Sequence, residues 1–260
     1  MIFCSLFSGS SGNSIYVSSG EASVLIDAGL PGKSIEKALC KINVDVNKID
    51  ALFVTHEHID HTKGVGVISR RFNIPIYANS LTWDAMSKTI GKIKDENIKI
   101  ITNKCVTIKD MDIINYKTSH DAASPCGYLL ESCHKKVCVT TDLGFVTKEI
   151  ETILKDADVI LLESNHDTEM LKFGPYPYTL KRRILSDIGH LSNDDCGNTI
   201  VKITNSKYKR IILGHLSKTN NYPDLAYQTV VNILNENAVD TNNISLTIAK
   251  RDTPSGYIDF

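Results

Sequence analysis

Along this chain short apolar runs alternate with stretches in which apolar residues recur every three or four positions, the spacing that lines one face of a helix. The runs at 2–7, 24–27, 51–54 and 74–77 predict strands, and 15–18 alternates apolar with polar residues as a half-buried strand does. Helical spacing appears over 32–42 through Ile35, Leu39 and Ile42, over 62–72, and over 81–88, which carries the single tryptophan, Trp83, as a core residue. Five strands are expected next, at 99–102, 105–109, 111–118, 126–132 and 136–141. The alternation of strand and helix then returns, with helices at 147–155, 180–188, 193–205 and 224–237 and strands at 159–162, 211–213 and 244–249. The helix at 180–188 is basic, and Asn193 is read as the cap of the next one, whose first turn is acidic. Strand blocks with helices at their outer faces predict an α/β fold in which two sheets stack face to face, a four-layer αββα sandwich.

Composition narrows the class. At 260 residues the chain can bury a large core, and one domain over 1–260 is expected. The hydrophobic share of 42% and charged share of 23% are ordinary for a globular protein and exclude a disordered or collagen-like chain. No apolar run reaches membrane-spanning length, and the start Met1-Ile2-Phe3-Cys4 lacks the basic and long apolar segments of a signal peptide, so a cytoplasmic location is expected. Seven cysteines with no Cys-x-x-Cys pair read as reduced thiols, most of them packed in the core. A net charge of −1 gives no global attraction for nucleic acid, so such binding would need a local basic patch.

The densest chemistry follows the strand at 51–54, where Thr55-His56-Glu57-His58-Ile59-Asp60-His61 packs three histidines and an aspartate into one loop. Core packing does not explain that density, and a metal site does. In an extended loop His56 and His58 share a side, while Asp60 and His61 open the following helix and face a neighbouring position, which suits two ions. A helical zinc-protease pattern is excluded, because the fourth position after His56 is Asp60 and the preceding run is a strand.

His-x-His-x-Asp-His after a hydrophobic strand resembles the signature of the metallo-β-lactamase superfamily of binuclear hydrolases. The later ligands of that family have counterparts in order: His120 in Thr-Ser-His-Asp, Asp142 in Thr-Asp-Leu-Gly and His215 in Gly-His-Leu-Ser, with Asp27 at the end of an early strand. The resemblance implies that His56, His58 and His120 hold one ion, that Asp60, His61 and His215 hold a second, and that Asp142 bridges them. Neutral imidazoles and carboxylates suit Zn²⁺, Mn²⁺ or Fe²⁺ and disfavour Ca²⁺. Two such ions bring a bridging water toward a pKa near 7 and neutralise charge on a phosphoryl oxygen. Asp27 either orients a ligand histidine or caps the loop before Pro31. The small-residue turn at 8–14 is either a plain hairpin loop or a place where backbone amides approach an anion.

Phosphodiesterases of this superfamily place a His near a Ser against the scissile phosphate and hold that His with a Glu from a strand end. Here His190, Ser192 and Glu163 occupy similar positions, and pairing with Glu163 would keep His190 oriented and partly cationic. Because 189–192 and 214–217 both read Gly-His-Leu-Ser, the ligand and the phosphate-facing His could be exchanged; family order favours His215 as ligand. His166 is placed at the cleft rim and His134 on the surface. The short intervals from His120 to Asp142 and from Asp142 to His190 leave no room for a tRNA-clamping arm or a large inserted domain. Through its opening at 7–14 and its segments at 163–167 and 189–193 the chain resembles the compact YycJ/WalJ group of bacterial nucleases, and that resemblance implies a 5′-to-3′ DNA exonuclease acting on linear or nicked ends, with a place in DNA repair. Arg70, Arg71, Lys181, Arg182 and Arg183 are candidates for a backbone track, with Lys181, Arg182 and Arg183 put first. The alternative is a small-molecule hydrolase of the same fold, a cyclic phosphodiesterase or, less in keeping with Glu163 and His190, a glyoxalase-type thioesterase.

Overall fold

A computed structural model describes all 260 residues and divides them into two compact units. The first comprises residues 1–117, 122–135 and 250–260; the second comprises 118–121 and 136–249.

The first unit opens with β1 (Ile2–Phe7), β2 (Ser14–Ser18) and β3 (Ser23–Ile26), followed by helix α1 (Gly32–Lys41) and β4 (Ala51–Phe53). Two helices, α2 (Ile59–Thr62) and α3 (Val65–Phe72), lead to β5 (Ile76–Ala78), α4 (Ser80–Ile90) and β6 (Ile98–Ile100). These six strands lie in chain order in one sheet, with the C-terminal pair Ile258–Asp259 beside β1. Pairing is antiparallel from β1 to β3 and parallel from β3 to β6. One face is covered by helices, since Leu6, Leu25, Leu52 and Ile76 share a core with Ile35 and Leu39 of α1, Ile68 of α3, and Trp83 and Met86 of α4. The unit continues with an antiparallel meander of β7 (Cys105–Ile108), β8 (Met111–Lys117) and β9 (Cys126–Ser132). The single helix expected over 62–72 is two helices broken at Gly64, where a Cβ would stand 2.2 Å from the Leu30 carbonyl oxygen.

The second unit is built on four parallel strands, β10 (Lys135–Thr140), β11 (Val159–Glu163), β12 (Lys209–Gly214) and β13 (Ile244–Ile248). Parallel neighbours need crossover connections, and these are α5 (Lys148–Asp156), then α6 (Thr168–Phe173), α7 (Tyr178–Ile184) and α8 (Asn193–Ile203), and finally α9 (Pro223–Glu236). Strands β11 and β12 are buried along almost their whole length, as strands covered on both faces must be.

Three further expectations change. Helix α7 ends at Ile184, short of residue 188, because the chain folds back so that the His190 amide donates to the Ile184 carbonyl oxygen at 3.0 Å. Gly189 permits that return: a Cβ there would lie 2.1 Å from the same oxygen. The cap of α8 is Ser192, whose hydroxyl accepts from the Asp195 amide, so Asn193 is the first helical residue. The short helix α6 fills an interval in which no element was expected. No helix is long and apolar enough to cross a membrane.

Candidate metal centre

In both units the candidate residues gather at the C-terminal ends of parallel strands, the position where open α/β sheets bind ligands. Asp27 follows β3, the Thr55-to-His61 loop follows β4, Asp142 follows β10, Glu163 ends β11 and His215 follows β12. Asp27, Asp142 and His215 all have left-handed backbones, with φ of 60°, 59° and 55°. Side chains other than glycine are uncommon in that region, and a run of such residues at strand ends marks backbone held for the side chain it aims.

In the first unit Asp27 is buried and gathers the loop around it. Its carboxylate accepts from the Thr55 amide and hydroxyl, both at 2.8 Å, and lies 2.7 Å from Nδ1 of His61. That bond favours the His61 tautomer with the proton on Nδ1, so Nε2 carries the lone pair that a metal would take. Thr55 Oγ1 is also 3.0 Å from Nδ1 of His56, so one threonine sets two imidazoles. His56 Nε2 and His58 Nδ1 converge at 3.1 Å. Gly29 allows the loop to seat, since a Cβ there would fall 1.6 Å from the Asp60 carbonyl oxygen. In the turn at 8–14 Gly9 donates to the Asn13 side chain and Gly12 to the Gly9 carbonyl oxygen, while the Asn13 amide reaches out to the Asp60 carbonyl oxygen. The Asn13 side-chain nitrogen stands 3.1 Å from His61 Nε2.

In the second unit Glu163 is fully buried and holds two histidines with one oxygen. Its Oε1 is 2.8 Å from His190 Nδ1 and 2.7 Å from His215 Nδ1, while Oε2 accepts from the amides of Leu143 and Leu191. Burial would raise the Glu163 pKa, but His190 and His215 outweigh it and hold the group ionised. For His190 burial works toward the neutral ring, and the charge and hydrogen bond of Glu163 prevail, so its pKa is raised. His215 is 1% exposed and His190 18%, which leaves His190 as the member of the pair that solvent reaches. His120 places Nδ1 3.0 Å from the Gly189 carbonyl oxygen, with Nε2 on the side of the Asp121 and Asp142 carboxylates, and burial lowers its pKa toward the neutral form a metal ligand needs. Ligand atoms of Asp142, Glu163, His190 and His215 lie within 4.8 Å of one another.

The family model of the metallo-beta-lactamase superfamily matches residues 8–215. The chain belongs to this superfamily. It is 40% identical over 235 residues to exodeoxyribonuclease YycJ of Bacillus anthracis, covering 90% of this chain and 89% of that one. It is 44% identical over 232 residues to exodeoxyribonuclease WalJ of Streptococcus pneumoniae serotype 2, covering 88% and 86%. Among solved structures, the metallo-β-lactamase fold protein YhfI from Bacillus subtilis superposes with a TM-score of 0.73 over 98% of this chain and all of that one, at 16% identity. The α/β fold of the superfamily is thus this chain's fold. Its donor set fits the divalent metals of the family: each candidate histidine with a defined tautomer keeps one nitrogen for coordination, and carboxylates supply the remaining charge.

Beyond the candidate ligands, the other sequence candidates have contacts of their own. Ser192 Oγ is 2.6 Å from Asp195 Oδ2 as well as capping α8. Arg183 pairs with Asp121, Lys181 donates to the Lys172 carbonyl oxygen at 2.8 Å, and Arg182 lies over the Tyr178 ring. His166, expected at a rim, is 1% exposed, and burial lowers its pKa to about 4 against the opposing charge of Glu163. His134 is exposed. Thr55, Asn13 and Asn165, whose amide donates to the His215 carbonyl oxygen at 2.9 Å, were not anticipated. Thr55 alone had a usable signal, its place between a buried strand and the first histidine.

Proposed function

We propose that this chain is a metal-dependent phosphodiester hydrolase, a 5′-to-3′ DNA exonuclease acting on linear or nicked ends, with its two units working as one hydrolase domain over 1–260. The observation that carries the reading is Glu163 gripping His190 while His190 keeps access to solvent. A thioester hydrolase has no use for an imidazole that a buried carboxylate orients beside its metals, whereas a phosphodiesterase does. Family membership and the similarity to proteins named exodeoxyribonuclease support the same reading.

His56, His58 and His120 are assigned to one ion, Asp60, His61 and His215 to the other, and Asp142 to both; Zn²⁺, Mn²⁺ and Fe²⁺ all suit these donors. When bound, the ions supply an activated water and neutralise charge on the phosphoryl oxygen. The chain's own residues do the rest. Asp27 and Thr55 hold His61 and His56 in register. Asp60, half-buried beside His61, aligns the attacking water, and His190 stabilises the developing phosphorane charge and protonates the leaving oxygen. Ser192 joins His190 on the phosphate side, and Lys181, Arg182 and Arg183 form the backbone track. A cytoplasmic enzyme of DNA repair is the setting that such an activity serves.

The test is the salt dependence of DNA cleavage set against hydrolysis of a small cyclic phosphodiester. An enzyme that neutralises several phosphates loses affinity steeply with salt, and one that binds a single phosphate does not. Salt- and chelator-sensitive degradation of linear DNA supports the reading; rapid turnover of a 2′,3′-cyclic phosphate with linear DNA left intact replaces it with a cyclic phosphodiesterase.

A further inference from the structure

The stretch between Glu163 and His190 carries side chains that neither metal binding nor core packing explains. Phe173, the last residue of α6, is 84% exposed, and Tyr178, the first of α7, is 75% exposed. Leu185 and Ile188 beyond α7, and Phe145 three residues after Asp142, are also exposed. Leaving large apolar side chains in water forgoes the free energy of burying them, so several exposed within one stretch of chain point to an interaction site.

This surface is fastened to the site in the same unit. The Asp121 amide donates to the Ile188 carbonyl oxygen at 3.1 Å, the Ser119 hydroxyl to that of Asp187, and the Gly144 amide to that of Ser119. Helices α6 and α7 are joined by Gly-Pro-Tyr-Pro, whose prolines stiffen the connection, and Lys181 of α7 donates to the carbonyl oxygen of Lys172 at the end of α6. Phe173 and Tyr178 thus stand at the two ends of this connection, in the stretch that runs on through α7 to His190.

Charge selects the occupant. Lys172 pairs with Glu169 and Arg183 with Asp121, which leaves Lys181 and Arg182 without a carboxylate partner, and the Arg182 guanidinium lies 6.0 Å from the centre of the Tyr178 ring. Exposed aromatic rings interleaved with uncompensated cations are what single-stranded nucleic acid uses, because its bases present open faces to rings while its phosphates need cations. A duplex keeps those faces stacked on one another. We propose that Phe173 and Tyr178 form a stacking platform for the bases of a single DNA strand, with Lys181 and Arg182 on its phosphates, so that the strand is delivered to the site as single-stranded DNA. The proposal deepens the exonuclease reading and rests on it.

The experiment compares wild type with Phe173→Ala/Tyr178→Ala, both metal-loaded, on a 5′-phosphorylated single-stranded oligonucleotide, on the same oligonucleotide with abasic positions behind the first nucleotide, and on bis(p-nitrophenyl) phosphate. Both positions are exposed, and thermal melting of the variant checks that the fold is kept. A platform predicts a KM on the intact strand raised about tenfold or more in the double variant, the order expected for lost base–aromatic stacking. It also predicts wild-type KM on the abasic strand close to that of the variant, and unchanged hydrolysis of the small ester. DNA degraded with the same KM by both proteins overturns the platform and leaves the exonuclease reading standing. So does a variant whose only change is loss of a dimer in sedimentation, which would assign the surface to a second copy of this chain. Linear DNA left intact by wild type that still hydrolyses the small ester overturns both.

Discussion

The carboxylate of Asp27 lies 2.7 Å from Nδ1 of His61, both side chains buried. An imidazole so held presents Nε2 in one direction only, and removing the carboxylate's charge relaxes both the tautomer and the ring. Asp27→Asn is expected to weaken metal affinity about 10–100-fold, as loss of such a partner does elsewhere. Competition against a chromogenic chelator reads it; an unchanged affinity would reduce Asp27 to a loop anchor.

Glu163 treats His190 and His215 almost alike, at 2.8 and 2.7 Å, so their roles separate by function. His190→Ala should retain the full metal complement and lose two or more orders of magnitude in kcat, the scale of a general acid. Asp142→Ala should lose metal. Elemental analysis of the two variants after reconstitution decides: metal missing from His190→Ala would exchange the roles of the two Gly-His-Leu-Ser segments.

His166 is buried with neither ring nitrogen hydrogen-bonded, and burial lowers its pKa to about 4 from an ordinary 6.5. Between those values the unfolded chain binds a proton at this residue and the folded chain does not, so stability falls as pH is lowered through the window. Relative to His166→Phe, which carries no such group, wild type should lose ~2 kcal/mol of unfolding free energy between pH 7 and pH 5. Urea denaturation of both proteins in chelator measures it, and a pH-independent difference would contradict the neutral buried ring.

Cys40, Cys105 and Cys133 are exposed, whereas Cys4, Cys126, Cys138 and Cys196 are buried. Burial pushes Cys4 up to about 11 and Cys126 up to about 12, which leaves almost no thiolate at neutral pH. A thiol reagent at pH 7.5 should modify three cysteines in the native protein and all seven in denaturant. Rapid native labelling of Cys126 would show that the core beside Asp27 opens.

Strands were legible where burial on both faces left uninterrupted apolar runs, as at β4 and β11, and helices where one face repeated, as with Ile35 and Leu39 of α1. Fine boundaries were less so, because they depend on contacts distant in sequence. Nothing local stops a helix at Ile184; what stops it is the return of the chain to the Ile184 carbonyl oxygen, made possible by Gly189. In Ser192-Asn193 both residues are good caps, and the geometry selected the serine. His166 beside Asp167 reads as surface from its polarity, and only the tertiary fold buries it. Of the candidate centre, histidine density was visible in sequence, while the left-handed backbones of Asp27, Asp142 and His215 and the bridging by Thr55 were not.

Hydrolysis of DNA from an end is read by product release from a 5′-labelled linear strand with the metal-loaded protein. Labelled mononucleotide is expected as the first product, abolished by chelator and by His190→Ala, with closed circular DNA left intact. Internal cuts in the circle, or a labelled strand that survives while a small cyclic phosphodiester is consumed, would contradict it.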